Sequence, residues 1–486
     1  MSVSSHKSAV AIASEQALDV NQVVPETARD TVPASAPELA IVVAVALATT
    51  LAPLNSTMIA VALPHIMQDF QADTASAGWL ITSYLIVMAA VQPIAGKLGD
   101  RFGRRRMILG GLIAFALASL GAALSINLPM LIIFRLLQAL SGSITLPNGT
   151  ALLREVVPAH RRGNRFGLVG AVTSFAAASG PLLGGLLVSL GGWRVQFYAN
   201  LPIVVGALVL GWLAIPRPEA GSTHARSRFD LLGSVLLFLF LGGVAALLSQ
   251  SKSGFDWWFI GGGAAGLVLV LALFVWHERR YSDPVVNLGL FGHRAFASAS
   301  SCIALSNLSM YVMLLAIPLL LAQRPGWTSD RTGLVLAVLF GATVLFSPVG
   351  GRLADRLGRR LPTTVGLALM SVGVVWLTVS GAEVSLPALI SGLALAGVGI
   401  GLSGAGLQTS AIESVGPKEA GMAAGVYSTS RYFGSIVGSS VLAGLLASAD
   451  SFGLVFLLVS VAAVLATLLS LGLPTRPRRE VPQVSG

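Results

Sequence analysis

Charge and cysteine are both scarce in this sequence. Only 11% of the 486 residues are charged, whereas 54% are hydrophobic, and a soluble protein with so little charge could not cover its surface. Cys302 is the single cysteine, which excludes an intrachain disulfide and a cysteine-based metal cluster. No phosphate-cradling GxxxxGK[ST] loop and no plausible nucleophile–histidine pair is present. We therefore expect no enzyme activity, no cofactor and no metal.

Long apolar runs dominate what remains. Fourteen runs of about the length that crosses a bilayer as a helix follow one another, and they are continuous rather than alternating, which favours helices over a barrel. The sequence therefore predicts an all-α membrane protein with fourteen transmembrane helices at about 39–63, 77–96, 107–124, 128–150, 165–188, 193–215, 231–248, 257–277, 295–321, 331–350, 363–380, 385–408, 420–445 and 452–473.

Basic residues lie almost entirely on one side of these predicted helices. With the N-terminus inside, 25 of the 31 Lys and Arg residues fall in inside segments and 4 in outside loops, while Arg135 and Arg431 lie within runs. This bias follows the positive-inside rule, and it explains the net charge of +10 without a nucleic-acid partner. We expect a multi-pass protein of the bacterial cytoplasmic (inner) membrane with both termini in the cytoplasm. The excess of arginine over lysine is typical of a GC-rich bacterial genome.

A charged loop occurs twice in the oily chain. It reads GKLGDRFGRRR at 96–106 and GRLADRLGRR at 351–360, and Asp100 and Asp355 are 255 residues apart. Each copy follows the second helix of a six-helix block, so the chain is interpreted as a duplication with a two-helix insert. Parallel halves of this kind are a known transporter plan, with the substrate between them near the midplane.

The two loops and four further motifs resemble the major facilitator superfamily. LIIFRLLQALSG (131–142) resembles the arginine motif of its fourth helix, and ASGPLLGG (178–185) resembles its antiporter motif. WRVQFYANLPI (193–203), TSRYFGSIVG (429–438) and the insert look like the fourteen-helix drug:proton antiporter branch. The resemblance implies two six-helix bundles plus two inserted helices, alternating access, export and proton antiport.

The chain divides into five predicted segments on this basis. They are a disordered cytoplasmic tail (1–38), an N-terminal six-helix bundle (39–216), a linker with two extra transmembrane helices (217–294), a C-terminal six-helix bundle (295–475) and a second cytoplasmic tail (476–486). The insert carries no buried ionisable residue in this interpretation. We therefore expect it to lie at the periphery, away from the substrate path.

Each motif predicts a group of functional residues. We interpret the charged loops as a latch between the halves, formed by Gly96, Asp100, Arg101, Gly103, Arg104, Gly351, Asp355, Arg356 and Gly358; the simpler alternative is that they only anchor the topology. The antiporter motif contributes Gly180, Pro181, Gly184 and Gly185, which the family implies seal the cavity externally; ordinary small-residue packing is the alternative. Predicted substrate or cavity residues are Asn55, Arg135, Gln138, Asn148, Asn307, Gln408 and Arg431, with Asn200 as a further polar candidate.

Buried acids are missing from the predicted helices. The family's first helix usually carries an aspartate where this chain has Asn55, and asparagine cannot titrate. A charge at the depth of Arg135 is costly and is a functional candidate by default, the alternative being a side chain that reaches the outer interface. Glu155 and Glu413, at cytoplasmic helix ends, are the remaining candidates for proton coupling.

The predicted function is export of small amphipathic molecules, such as drugs, antibiotics or related metabolites, by proton antiport. The alternative is an exporter or facilitator of an endogenous metabolite without strict proton coupling; a membrane sensor or scaffold fits less well. The expected partners are a small-molecule substrate, protons and membrane lipids, and we expect a monomer. Because the cavity is predicted to hold arginine but no carboxylate, neutral or acidic substrates should be preferred over quaternary ammonium dyes.

Overall fold

The computed structural model describes residues 36–216, 230–249, 257–281, 284–381, 384–416, 419–449 and 452–475. Within these ranges the regular secondary structure is helical. Fourteen long helices follow in chain order: α1 (Ala36–Phe70), α2 (Thr74–Phe102), α3 (Arg104–Ala123), α4 (Leu128–Val156), α5 (Ala159–Gly191), α6 (Asn200–Ala214), α7 (Leu231–Leu248), α8 (Trp257–Glu278), α9 (Arg294–Ala322), α10 (Ser329–Leu357), α11 (Arg360–Ser380), α12 (Leu386–Glu413), α13 (Ala420–Ala449) and α14 (Phe452–Ser470).

These helices match the fourteen predicted runs in order. Thirteen of the described helices are long and apolar enough to cross a membrane, with a one-turn helix at Val195–Tyr198 counted together with α6. The remaining helix, α13, has 30 residues and carries Arg431. The prediction of an all-α membrane protein is therefore confirmed.

Short polar caps and prolines shape the ends and middles of the helices. The side chain of Asp73 accepts a hydrogen bond from the backbone N–H of Ser76 (2.9 Å) at the start of α2, and Asn127 does the same for Met130 (2.8 Å) at the start of α4. Prolines also lie in the interiors of described helices, among them Pro93 and Pro348 at equivalent places in α2 and α10. Neighbouring helices in a membrane bundle tolerate such breaks.

The helix contacts repeat between the two halves. In the first half α1 packs against α4, α5 and α6, α4 against α2 and α3, and α3 against α6. In the second half the equivalent helices, eight positions later, make the same six pairs: α9 with α12, α13 and α14, α12 with α10 and α11, and α11 with α14. The duplication inferred from the charged loops is thus present in the packing. The segment boundaries at 216, 294 and 475 stay predictions.

The halves meet along two symmetric seams, and the insert covers one of them. α5 of the first half packs on α10 of the second, and α13 of the second packs on α2 of the first. α7 packs against both α2 and α13, whereas α8 packs mainly on α7. A 3₁₀ turn at Leu288–Gly292 then leads into α9.

One end of the molecule carries both charged loops, and we call it the charged end; the other is the far end. The seams close at the far end. A Cβ on Gly185 would overlap the backbone oxygen of Ser329, and one on Gly333 would lie 2.6 Å from the backbone oxygen of Pro181, so α5 and α10 touch backbone to backbone. Across the other seam the hydroxyls of Thr82 and Ser439 are 2.9 Å apart.

The same helices are free at the charged end. Added Cβ atoms on Gly167 and Gly170 of α5, or on Gly421 and Gly425 of α13, would meet no described atom within 4 Å. Residues 345–349 of α10 are exposed as well. The two halves therefore converge at the far end and are separated at the charged end.

The start of α1 differs from the sequence expectation. Ala36–Glu38 belongs to α1, although the sequence placed these residues in the disordered tail. Glu38 is 7% exposed, and its carboxylate pairs with Arg161 (3.4 Å) and Arg165 (3.1 Å) of α5. A buried ion pair explains why the helix begins earlier than hydropathy alone indicates. The rest of the predicted tails, 1–35 and 476–486, lies outside the described residues.

The far-end contact predicts that substitutions at two glycines of α5 differ in their effect on the seam with α10. Gly185→Ala should push α5 away from α10 and loosen the far end, whereas Gly170→Ala, which faces open space, should not. The readout is disulfide formation between cysteines at Thr82 and Ser439 in a Cys302→Ser background, followed by loss of free thiols. We expect several-fold slower oxidation with Gly185→Ala, and an unchanged rate in that variant would contradict the backbone contact.

Candidate functional site

A cavity of about 320 Å³ lies between the two halves. Its walls come from α1, α2, α4 and α5 on one side and from α9, α10 and α13 on the other. Three tyrosines, Tyr84, Tyr311 and Tyr432, line it together with Asn307 and the half-buried Arg431. Among its lining residues Arg431 is the one charged side chain, and no lining residue is acidic.

Arg135 lies behind this wall rather than in the cavity. Its side chain is fully buried, and its guanidinium carbon is 4.3 Å from the centroid of the Tyr84 ring. Nη1 donates to Oδ1 of Asn55 (2.5 Å) and to Oε1 of Gln138 (3.2 Å), and Nε donates to the backbone oxygen of Leu80 (3.4 Å). The alternative that Arg135 reaches the outer interface is therefore wrong.

The partners of this arginine are all neutral. Gln138 is in turn held by a hydrogen bond from its Nε2 to Ser119 (2.8 Å), while Nη2 of Arg135 and Nδ2 of Asn55 have no partner among the described residues. Cation–π contact with a desolvated ring is worth about 2 kcal/mol. It offsets only part of the cost of burying a charge without a counter-ion. Asn55 is thus the first contact of a buried cation and does not itself line the cavity.

The other predicted cavity residues separate into two groups. Asn307 lines the cavity and donates through Nδ2 to the backbone of Ile303 (3.1 Å). Asn148 is fully buried and joins α4 to α2 through a 2.8 Å hydrogen bond to Ala95. Asn200 is also buried, at the start of α6, and Gln408 is exposed. The structure therefore brings Asn307 and Arg431 together at the cavity, and places Asn55, Arg135, Gln138, Asn148 and Gln408 elsewhere.

The charged loops have the same geometry in both halves. Gly103 and Gly358 end α2 and α10 with φ of 91° and 81°, a conformation that glycine adopts readily and other residues rarely adopt. Arg104 donates to Asp100 (2.8 Å) and pairs with Glu155 (3.2 Å) at the end of α4. In the second half Arg359 pairs with Glu413 at the end of α12.

The symmetry of these pairs reveals a residue that the sequence reasoning missed. Arg359 follows Gly358 as Arg104 follows Gly103, and the 255-residue offset between the loops would have found it. Glu155 and Glu413, 55% and 43% exposed, each bind a loop arginine of their own half. Asp100 also binds within its own half, to Arg104. In this conformation the described residues therefore do not form the predicted latch contact between Asp100 and the other half. The remaining loop residues, Gly96, Arg101, Gly351, Asp355 and Arg356, lie at the same charged end.

The antiporter motif packs on both halves at once. A Cβ on Gly180 would overlap the Thr57 hydroxyl of α1, and one on Gly184 would lie 2.7 Å from the backbone oxygen of Met58. Gly185 and the backbone of Pro181 face α10 instead. The motif therefore forms a narrow strip of close packing between the cavity and the far end.

The insert differs from its prediction in one respect. α7 and α8 contribute no residue to the cavity lining, but the expectation that they carry no buried ionisable residue is wrong. Asp230 and Glu278 are 2% and 4% exposed, at the charged ends of α7 and α8. Hydropathy placed both at helix ends and could not show that the backbone of Val286 binds Glu278 or that His277 binds Asp230.

Comparison with known proteins agrees with this architecture. The family model of the Major Facilitator Superfamily matches residues 45–276 and 299–486. An uncharacterised transporter of this type from Bacillus subtilis (strain 168), YvkA, is 34% identical over 89% of this chain and 96% of its own. The Multidrug resistance protein Stp of Mycobacterium tuberculosis is 33% identical over 81% of this chain and 73% of its own. The Tetracenomycin C resistance and export protein of Streptomyces glaucescens is 32% identical over 83% and 75%.

Solved structures share the fold at low sequence identity. A bacterial homologue of the human lysosomal transporter Spinster superposes with a TM-score of 0.66 at 17% identity, covering 91% of this chain and 98% of the other. A D-xylose-proton symporter superposes with a TM-score of 0.64 at 15% identity, covering 90% and 98%. The chain belongs to the Major Facilitator Superfamily, so it is a membrane transporter and not an enzyme.

The contact between Asn55 and Arg135 predicts the effect of restoring the acid. Asn55→Asp places a carboxylate against an uncompensated buried cation, and it should raise the free energy of unfolding by about 2 kcal/mol, in line with the value of a charge-assisted contact. Asn148→Asp is the matched control, because Asn148 donates to two backbone oxygens and an acid there should destabilise. The measurement is thermal unfolding of both variants in detergent. Equal destabilisation by both would mean that Arg135 needs no counter-ion.

Proposed function

We propose that this chain is a secondary active transporter that exports small amphipathic molecules across the bacterial cytoplasmic membrane by alternating access. The carrying observation is the cavity between the halves, which is sealed at the far end by backbone contact and lies between helices that separate at the charged end. A molecule can enter such a cavity from one side only. Rocking of the halves about it would release the molecule on the other side.

The charges at the two ends orient the molecule in the membrane. The charged end holds the arginine-rich loops, and such loops stay in the cytoplasm. The open side therefore faces the cytoplasm in this proposal, and the seal formed by Gly185 and Gly333 faces outward. An exporter loads its cargo from the cytoplasm, and this open side is where the cargo would enter in the proposed export cycle.

Relatives support the choice of a drug or antibiotic as cargo. One similar protein is named as a multidrug resistance protein and another as a tetracenomycin C resistance and export protein, while YvkA is uncharacterised. The inserted pair α7 and α8 favours the fourteen-helix drug:proton antiporter branch. We place this chain in that branch, acting as a monomer among membrane lipids.

The charged loops would act when the cytoplasmic end closes. In the present conformation Asp100 binds Arg104 of its own loop, which in turn binds Glu155. When the halves close at the charged end, Asp100 can instead accept hydrogen bonds from a helix N-terminus of the other half. The loop pair then latches the outward-facing state.

A specific observation favours the alternative of export without strict proton coupling. No lining residue of the cavity is acidic. Asn55 occupies the position at which the family usually has an aspartate. Proton carriers in transporters are usually buried acids. Proton antiport therefore needs a carboxylate outside the cavity, and a facilitated exporter would need none.

Arg431 sets the preferred charge of the cargo in this proposal. A lipophilic cation would meet its guanidinium at low dielectric, where repulsion is weakly screened. An acidic or neutral molecule with aromatic rings would instead find a cationic partner and three tyrosines. Arg135, one ring behind Tyr84, adds positive potential to the same wall.

The test is transport in reconstituted vesicles of three probes that share one ring system: 2-naphthoate, 2-naphthamide and 2-naphthylmethyl-trimethylammonium. We expect uptake of the carboxylate and the amide and at least tenfold slower uptake of the ammonium compound. Arg431→Gln should remove the advantage of the carboxylate over the amide. Running each assay with and without a pH gradient separates antiport from facilitated export.

A matched control is Arg324→Gln, because Arg324 lies at the far end and binds the backbone oxygen of Val384 away from the cavity (2.6 Å). It should leave the order of the three probes unchanged. Preferential transport of the ammonium probe by the wild type would contradict the assignment of Arg431.

A further inference from the structure

Two buried carboxylates face each other at the charged end of the insert. Oδ1 of Asp230 accepts from the backbone N–H of Gly233 (2.8 Å) and contacts Nε2 of His277 (2.6 Å). Oε2 of Glu278 accepts from the backbone N–H of Val286 (2.8 Å). One oxygen of each carboxylate is therefore occupied.

The other two oxygens are left without partners. Oδ2 of Asp230 and Oε1 of Glu278 have no hydrogen-bond partner in the described parts of the chain. A Cβ built on Gly233 would overlap the first and lie 2.5 Å from the second, so the two free oxygens flank the same point. Both side chains are at least 96% buried.

Two unpartnered anionic oxygens in such a place repel each other unless something lies between them. Within the described residues, the charged groups that act on the Glu278 carboxyl are Asp230 and His277, and His277 is already engaged by the other oxygen of Asp230. Among residues that the structure describes, no cluster of His, Cys, Asp and Glu has the geometry of a metal site. Both oxygens lie within 2.5 Å of the position of a Cβ on Gly233, and a proton bound to one of them would remove the repulsion.

We propose that Asp230 and Glu278 form a proton-binding site that holds one exchangeable proton and opens to the cytoplasmic side. At low pH a proton from water binds one oxygen of the pair, and the resulting O–H group donates a hydrogen bond to the other oxygen. At high pH it returns to water, and the two charged carboxylates then separate. Among the acids that the structure describes, no other two are buried side by side.

The position of α7 connects this site to the seam between the halves. α7 begins next to Asp230 and packs along both α2 and α13, which belong to different halves. Its other end touches α13 closely, because a Cβ on Gly444 would overlap the backbone oxygen of Leu248. Separation of the carboxylates shifts the first turn of α7. That shift acts on the seam between α2 and α13, which must open during transport. This second step rests on the proposed alternating access.

The first experiment measures the proton itself, with no substrate present. Full-length protein in lipid nanodiscs is studied by pH-difference infrared spectroscopy, which detects the carbonyl stretch of a protonated carboxylic acid. We expect a titrating acid band in the wild type that is absent in Glu278→Gln and in Asp230→Asn. Both amides keep the oxygen that accepts from Val286 or Gly233, so both variants should fold, and gel filtration checks this.

The control is Glu419→Gln, which removes an exposed carboxylate at the same end of the molecule. It should leave the band unchanged. A wild-type band that persists in both Glu278→Gln and Asp230→Asn would overturn the site.

The second experiment measures the link to the seam. Spin labels on Gln323 and Ile126, which lie at the far end in different halves, report the distance between the halves at acidic and alkaline pH. We expect a pH-dependent shift in the wild type and in Glu419→Gln, and none in Glu278→Gln. An equal shift in all three would overturn the link, and since neither experiment uses a substrate, a failure of the export assay would leave both results intact.

Discussion

The close approach of α5 and α10 at the far end is the contact on which the rest of the arrangement depends. Gly185 and Gly333 let two backbones meet where any side chain would hold them apart. Small residues at helix interfaces are the usual means of tight packing in lipid, where apolar burial adds little driving force. The cavity has one closed end because this contact and its counterpart between α2 and α13 both lie on the same side of it.

Charge placement follows a second constraint, the cost of a charge within the bilayer. Most arginines lie at the charged end, where they pair with acids such as Glu155, Glu413 and Glu38. Arg135 is buried among neutral partners and a tyrosine ring, and Arg431 lines the cavity. These two lie within helices and away from both ends, and both add positive potential to the site where the cargo is proposed to bind.

The sequence predicted the helices and the duplication well, because both depend on patterns along the chain. The 255-residue offset of the charged loops reappears as six repeated helix pairs and as the equivalent ion pairs of Arg104 and Arg359. Side-chain direction was harder to predict. Hydropathy placed Arg135 within an apolar run but could not show that it turns away from the cavity toward Asn55 and Gln138.

The acids show the same limit more clearly. Asp230, Glu278 and Glu38 stand at the ends of apolar runs, where linear reasoning expects exposure. Packing of α7 against α8, the turn that follows α8 and the start of α5 bury them. Tertiary contacts between segments distant in sequence decide this burial, and a hydropathy profile holds no information on those contacts.

Alternating access is the central claim, and paired distance measurements at the two ends test it most directly. One pair of spin labels on Arg154 and Leu357 reports the charged end, and a second pair on Ile126 and Gln323 reports the far end, each in a Cys302→Ser background. Adding a transported probe should populate a state in which the charged-end distance shortens while the far-end distance lengthens. Two distances that stay constant, or that change in the same direction, would contradict the account.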